Sequence, residues 1–408
     1  MTVQAETPDQ KLRARAARVI PGGMFGHLKA DRLPEGYPQF FERGDGCHLW
    51  DVNGRRYLDF MCSWGPIVLG HHHPAVDEAV QRQMALGDCL NGPSERMVEL
   101  AERLVQLIPH ADWAMFSKNG TDATTTCVTL ARAATGRRKI LVAQGAYHGA
   151  IPWCTPNPIG VTAEDRTHLL TFKYNDVGSL ETAVQRAGDD LAGIVVSAFR
   201  HDYGFDQELP DPLFARRVRE LCDASDAALI LDDVRAGFRM TLRGSWDLVG
   251  VQPDLSAWSK AIANGYALAA VTGNDRYRDA ATKIFVTGSF WCSAVSMAAA
   301  VATLDELERI DGPARMRAMG LRLREGIAAQ AAAAGIGIRQ SGPPQMPTLL
   351  FDDDADYSKG DLFTRETLKR GVYMHPRHNM FLSTAHTEAD IDFALEATQA
   401  AFDVLAAQ

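Results

Sequence analysis

Between about residues 75 and 300 the apolar positions follow two alternating patterns. Stretches 75–86, 94–107, 121–134 and 213–224 read as helices, with apolar residues gathered on one face. Between them stand short, almost unbroken apolar runs: WAMFS, KILVAQ, GIVVSAF, AALILDDV and ALAAVTG. Apolar runs of that length between helices predict strands of a parallel sheet covered on both faces. Ahead of this region the pattern predicts a short helix at 10–19, a Pro-Gly-Gly turn, and a hairpin in CHLWDVNGRRYLDF with Asn53-Gly54 at its tip. Behind it come a helix near 293–310, a strand in TLLFDD and a closing helix in TEADIDFALEATQAAFDVLAA. Thr387 and Asp390 predict a capping box at the start of that last helix, with an acidic residue of shorter reach than usual. The expected division is a large α/β domain at 61–300 and a smaller α+β domain at 301–408, against which segment 1–60 packs.

Composition narrows the functional classes. The 408 residues suffice for two ordinary domains, and 46% apolar with 23% charged residues describes a globular protein, not a disordered one. The net charge of -9, with no basic stripe, argues against nucleic acid as a partner. Seven scattered cysteines, without a CxxC pair or finger-spaced histidines, suggest reduced thiols and a cytoplasmic location. Neither a signal peptide nor a membrane span is expected, since no run is long and apolar enough.

Ligands of such sheets sit beyond the C-terminal ends of the strands, so the residues after each run matter most. WAMFS leads into Asn119-Gly120-Thr121 and a helix. A small turn at a helix N-terminus offers free N–H groups to a phosphate, although the same residues would also make an ordinary N-cap. KILVAQ leads into Tyr147-His148, which could stack on a flat ligand or merely pack in a loop. AALIL leads into Asp232-Asp233-Val234. Strand side chains alternate, so Asp232 and Val234 share a face: charge for an aromatic cation, methyl groups for its ring. Asp233 should point away, toward a partner such as Arg239. A solvated strand end is the competing reading. Lys260 follows a short semi-apolar run; in a desolvated site its amine would attack carbonyls, whereas at the surface it would only solvate. A phosphate cradle, a stacking aromatic, a buried carboxylate and a nucleophilic amine are together the parts that pyridoxal phosphate requires.

The order and spacing of RVIPGG, DVNGRRYLDF, SWGPIVLGHHHP, NGTDAT, GAYHG, DDVRAGFR, DLSAWSKAIANG and AHTEADID resemble the class III, fold type I aminotransferases, in the branch that includes glutamate-1-semialdehyde aminomutase. The similarity covers nearly the whole chain. It implies a fold type I α/β transferase with Lys260 as the Schiff-base lysine and Asp232 on the pyridine nitrogen. It implies further that Tyr147 and Val234 hold the ring, with His148 beside it, and that Asn119, Gly120 and Thr121 hold the phosphate. TGSFWCS matches the segment that reaches the neighbouring subunit's phosphate, through Ser289, which implies a homodimer with shared sites. His71-His72-His73 falls on a structural turn of the family, so no metal is expected.

Some positions depart from the family pattern. Its active-site glutamate after Val-Glu-Pro is replaced by Ser197-Ala198, followed by Arg200-His201. Arg235 stands where a neutral residue is common. The aminomutase's substrate-binding Ser and Arg correspond to Gly26 and Lys29, and its C-terminal glutamate has no counterpart in HPRHNMFLS. These losses argue against aminomutase activity and leave general transamination intact: an amino group passed from an amino acid or amine to a keto acid in two half-reactions. An amino acid racemase or aminomutase, a decarboxylase and a non-catalytic binding protein are the alternatives. Arg200, His201, Arg235, His375, Arg377 and His378 are the candidate carboxylate binders, and Trp64, Phe25 and Trp291 the candidate aromatic wall. The HPRHN cluster points to an amino acid substrate, β- or aryl-substituted.

Overall fold

The computed structural model describes residues 6–30 and 33–407. Its central sheet has seven strands, in the order Trp113–Ser117, Ala269–Gly273, Leu255–Trp258, Ala228–Asp232, Leu191–Ser197, Lys139–Ala143 and Leu169–Phe172. Six run in one direction; Ala269–Gly273, in the run ALAAVTG, is antiparallel to both its neighbours. The short connection from Trp258 has no room for a crossover helix, so the chain must return antiparallel. The sheet is thus mostly parallel, and the fold is the expected α/β one.

The two faces of the sheet separate residue by residue. Ile140, Val195 and Ile230 pack under the helix Gly120–Thr135, against Ala123, Cys127 and Leu130. Their chain neighbours Leu141, Ile194 and Leu229 pack on the other side, with Leu180 and Phe214 of the helices Val177–Ala187 and Pro212–Ala224. Both faces are dry, which is why Leu191–Ser197 and Ala228–Asp232 are buried at every position and read as unbroken apolar runs. The same alternation places Asp232, two residues after Ile230, on the face of Gly120–Thr135.

A second sheet joins Phe41–Asp45, His48–Asp51 and Arg56–Asp59 to Val372–Tyr373 from near the other end of the chain. The expected hairpin forms: Asp51 Oδ1 accepts from the N–H groups of Asn53 and Arg55, both at 2.9 Å, and Val372–Tyr373 runs parallel to its second strand. The largest core contains Leu58, Leu104, Leu304, Leu323 and Phe402, drawn from all along the chain. The closing helix Glu388–Ala406 carries the expected capping box of Thr387 and Asp390. The long helix Gly312–Ala334 gave no clear signal, because glycines interrupt its pattern. Gly320 is there for packing: a Cβ at that position would lie 1.8 Å from the Pro344 carbonyl oxygen. Among the described residues no helix is long and apolar enough to cross a membrane.

Candidate active site

The C-terminal ends of the parallel strands surround a cavity of about 310 Å³. Its wall contains Asn119, Gly120, Thr121, Tyr147, His148, Asp232, Val234 and Lys260, brought together from four strand ends, and also His201 and Arg235.

The cradle follows from how the helix Gly120–Thr135 is capped. The Asn119 side chain accepts from the Asp122 N–H at 3.1 Å, and Asp122 Oδ2 accepts from the N–H groups of Asn119 and Lys118. This box uses the third N–H of the helix and leaves those of Gly120 and Thr121 without a hydrogen bond among the described residues. Free N–H groups at the positive end of a helix fit a phosphate. Gly120 is required at this point, since a Cβ would lie 2.7 Å from Val234 Cγ1.

Asp232 is buried and held from two sides. His148 Nδ1 lies 2.7 Å from Asp232 Oδ2, and the Val234 N–H donates to Oδ1 at 3.1 Å. A carboxylate only accepts, so Nδ1 carries the ring proton. The His148 ring lies parallel to Trp153, and its backbone carbonyl accepts from Thr124 Oγ1 at 2.7 Å. Each carboxylate oxygen keeps a lone pair for a further donor, so the group suits a protonated ring nitrogen. Asp233 takes the opposite face but does not meet Arg239. It accepts from the Ser245 N–H at 2.8 Å, and its carboxyl is pushed up to about 7 by burial. Arg239 lies fully buried and donates instead to backbone carbonyls of Gly65, Ile67 and Leu382. Those donations span the N- and C-terminal parts of the chain, which a local reading of DDVRAGFR could not show.

Lys260 stands just after the strand Leu255–Trp258, with a left-handed φ of 50°. Such a conformation costs a non-glycine residue about 1–3 kcal/mol. The turn is pinned by Ser259 Oγ, which donates to the Leu268 carbonyl at 2.9 Å. Asn264 holds it as well, accepting from the N–H groups of Val68 and Leu69. No hydrogen bond occupies Lys260 Nζ among the described residues. Burial first, then the charge of Arg235, pulls its ammonium down to about 7 against the opposing pull of Asp232. This is an amine that is free near neutral pH. Tyr147 lies at the cavity edge, 44% exposed. A cradle of free N–H groups, a braced carboxylate and an unpaired amine in one cavity fit pyridoxal phosphate.

The substrate candidates divide. Trp64 meets His27 and His378 edge to face, each with ring centroids 4.9 Å apart, and His375 at 5.5 Å. This ring cluster does not itself line the cavity and meets it through Arg235, which contacts His378; nothing in MFGHLK marks His27 as part of it. Burial lowers the pKa of His27, His201 and His378, and that of His375 to about 4, so the imidazoles are neutral. Arg200 and Arg377 do not line the cavity. Arg200 pairs with Asp202 and Glu208 at 2.7 and 2.5 Å; Arg377 forks onto both oxygens of Asp361 at 2.6 and 2.7 Å. Both expected substrate binders are thus answered here by carboxylates of the same chain. Arg235 does line the cavity, held by Asn379, another residue that the sequence alone did not single out. Phe25 is exposed and Trp291 stands outside the cavity wall. Ser289 is exposed and also lies outside the wall. His71, His72 and His73 lie nearest three different carboxylates, those of Asp59, Asp77 and Glu306, so the tract does not converge on one point.

Comparison with known proteins agrees with this geometry. The family model "Aminotransferase class-III" matches residues 33–401. The chain is 49% identical over 399 residues to the aminopentol aminotransferase of Sphingopyxis macrogoltabida, covering 98% of this chain and 94% of that protein. It is 33% identical to the glutamate-1-semialdehyde 2,1-aminomutase of Polaromonas naphthalenivorans, covering 96% of each. Among solved structures it resembles the FumI protein of Sphingopyxis sp. MTA144 in its pyridoxal phosphate internal aldimine form. That match has a TM-score of 0.96 and 49% identity, over 97% of this chain and 96% of that one.

Proposed function

The chain belongs to the class-III aminotransferases, a pyridoxal phosphate-dependent enzyme that passes an amino group to a keto acid, and we propose that its preferred donor is a primary amine bearing hydroxyl groups and no carboxylate. One observation carries the donor reading: Trp64 is ringed by neutral imidazoles, while Arg200 and Arg377 are spent on Asp202, Glu208 and Asp361. Neutral rings that donate and accept hydrogen bonds suit hydroxyls, while Arg200 and Arg377 are already answered by carboxylates of this chain. The similarity to an aminopentol aminotransferase supports the same class of donor.

The roles follow from the chemistry of each group. Pyridoxal phosphate, when bound, supplies an electrophilic carbon and a cationic ring that accepts the electron pair released at the donor carbon. The free N–H groups of Gly120 and Thr121 would hold its phosphate. Asp232, kept in place by His148, would hold the ring nitrogen protonated, with Tyr147 and Val234 on the ring. Lys260 would bind the cofactor covalently, and its Nζ would take the proton from the amine-bearing carbon of the donor. In the return half Nζ would deliver a proton to the acceptor's carbonyl carbon.

We also place this enzyme in the cytoplasm as a homodimer. Ser289 lies between Phe285, 92% exposed, and Phe290, 66% exposed. Asp88 accepts from Ser293 Oγ at 2.6 Å, which sets exposed Met84, Leu86 and Leu90 beside that segment. Adjoining apolar side chains of this kind mark an interaction surface, and analytical ultracentrifugation reads the dimer directly. For the donor, hydroxylated primary amines, β-amino acids and aryl amino acids are compared with pyruvate as acceptor. The expected result is a higher kcat/KM for the hydroxylated amines by about 100-fold. β- or aryl-substituted amino acids reacting faster would overturn the donor reading. Alanine, the aminated acceptor, must react in reverse and is no test.

A further inference from the structure

The acceptor of an aminotransferase is a keto acid, whose carboxylate needs a partner in the cavity whatever the donor is. Of the candidate arginines only Arg235 lines the cavity. We propose that the Nε–Nη2 edge of Arg235 binds the carboxylate of the keto acid acceptor.

Three observations lead there. Unlike Arg200 and Arg377, Arg235 has no carboxylate within ion-pairing distance among the described residues. Its protein partners are neutral, and both use the same nitrogen: Nη1 donates to Asn379 Oδ1 at 2.6 Å and to His378 Nε2 at 3.1 Å. A guanidinium only donates, so His378 Nε2 is the acceptor and Nδ1 carries the ring proton, which points to the Asn379 carbonyl at 2.9 Å. The side chain is therefore fixed through one corner, while Nε and Nη2 make no hydrogen bond among the described residues. Two parallel N–H groups in a plane match the two oxygens of a carboxylate. The position is also right for reaction, since Arg235 is close enough to Lys260 to be the largest charge acting on its amine. A carboxylate on Arg235 would offset that charge and make Nζ a better proton acceptor once the keto acid has arrived.

This inference takes the enzyme to be an aminotransferase but does not depend on which amine is the donor. The test compares pyruvate with propanal, a three-carbon carbonyl compound without a carboxylate, using one fixed donor. The donor cancels in the ratio of the two kcat/KM values, so failure of the donor reading leaves the ratio interpretable. Arg235→Gln should lower the pyruvate-to-propanal ratio by about 10- to 100-fold, the value of a hydrogen-bonded charge. Arg235→Lys, a point charge without the fork, should recover part of it. A ratio within twofold of the wild type in both variants would overturn the assignment. So would loss of bound cofactor from Arg235→Gln with an unchanged ratio in the molecules that retain it, because the guanidinium would then serve the cofactor. A second measurement needs no variant: propionate should compete with pyruvate for the wild-type holoenzyme at least about tenfold better than propionamide. Equal inhibition by the two would count against the proposal.

Discussion

The floor and the mouth of the cavity are built differently. On the floor, each group sits within a few residues of a strand end: Asn119 to Thr121 after Trp113–Ser117, His148 after Lys139–Ala143, Asp232 at the end of Ala228–Asp232, and Lys260 after Leu255–Trp258. The mouth is Arg235, backed by a cluster of His27, Trp64, His378 and Asn379 whose contacts cross the whole length of the chain. A floor group has its direction set by the strand before it. The charge available from a mouth group depends on neighbours far away in sequence. The floor should therefore fail as chemistry when altered, and the mouth should change selectivity.

The largest break is Lys260→Ala. Without Nζ nothing on the floor moves the proton of the donor carbon, and kcat should fall by about 10⁴-fold. Single-turnover mixing with a donor amine checks this. A loss of tenfold or less would remove Lys260 from the centre of the site. Asp232→Asn comes next. The amide keeps the shape but not the charge, so kcat should drop by about 10²- to 10³-fold while the cofactor remains bound. Absorbance of the dialysed protein reads retention, and steady-state rates read the rest. Unchanged kcat would mean that the charge at this position is not what sustains the ring.

That asymmetry also explains what could be read from the sequence. Strand alternation alone put Asp232 and Val234 on one face, and the structure finds Asp232 on the face of Gly120–Thr135 with Val234 against Gly120. The central strands were legible because burial on both faces writes an unbroken apolar run. The helix Gly312–Ala334 was not, because close packing at Gly320 replaces apolar periodicity with small residues. Arg200 and Arg377 look alike in sequence as anion binders. Only the fold shows Asp361 forked by one and Asp202 with Glu208 taken by the other. Arg239 is hidden for the same reason, its acceptors being backbone carbonyls that no side-chain pattern records.

A third test sharpens the floor through pH. Burial lowers the Lys260 ammonium to about 7, and only the free amine attacks the cofactor's aldehyde. The folded-state value is depressed, so in the cofactor-free protein the amine is free above about pH 7 and protonated below it. The rate of pyridoxal phosphate uptake by the cofactor-free protein should therefore fall about tenfold per pH unit below 7 and level off above it. Stopped-flow absorbance follows the uptake. A rate that keeps climbing tenfold per unit to pH 10 would indicate an ordinary, solvated lysine.

The smallest expected effect is the most discriminating for the mouth. Arg377→Ala removes a guanidinium that a sequence reading would choose as a carboxylate binder. The structure commits it to Asp361, with its charge already answered. The KM for pyruvate should then stay within about twofold, and the thermal midpoint should fall only slightly, since a partly exposed ion pair contributes up to about 1 kcal/mol. Released Asp361 would remain exposed enough to be solvated, so no buried charge is stranded. If KM instead rose tenfold with little loss of stability, Arg377 would have to leave Asp361 for the substrate, and the mouth would have to rearrange when the acceptor binds. Arg235 and Arg377 would then share the carboxylate, and selectivity would depend on that movement as well as on the fixed Arg235 edge.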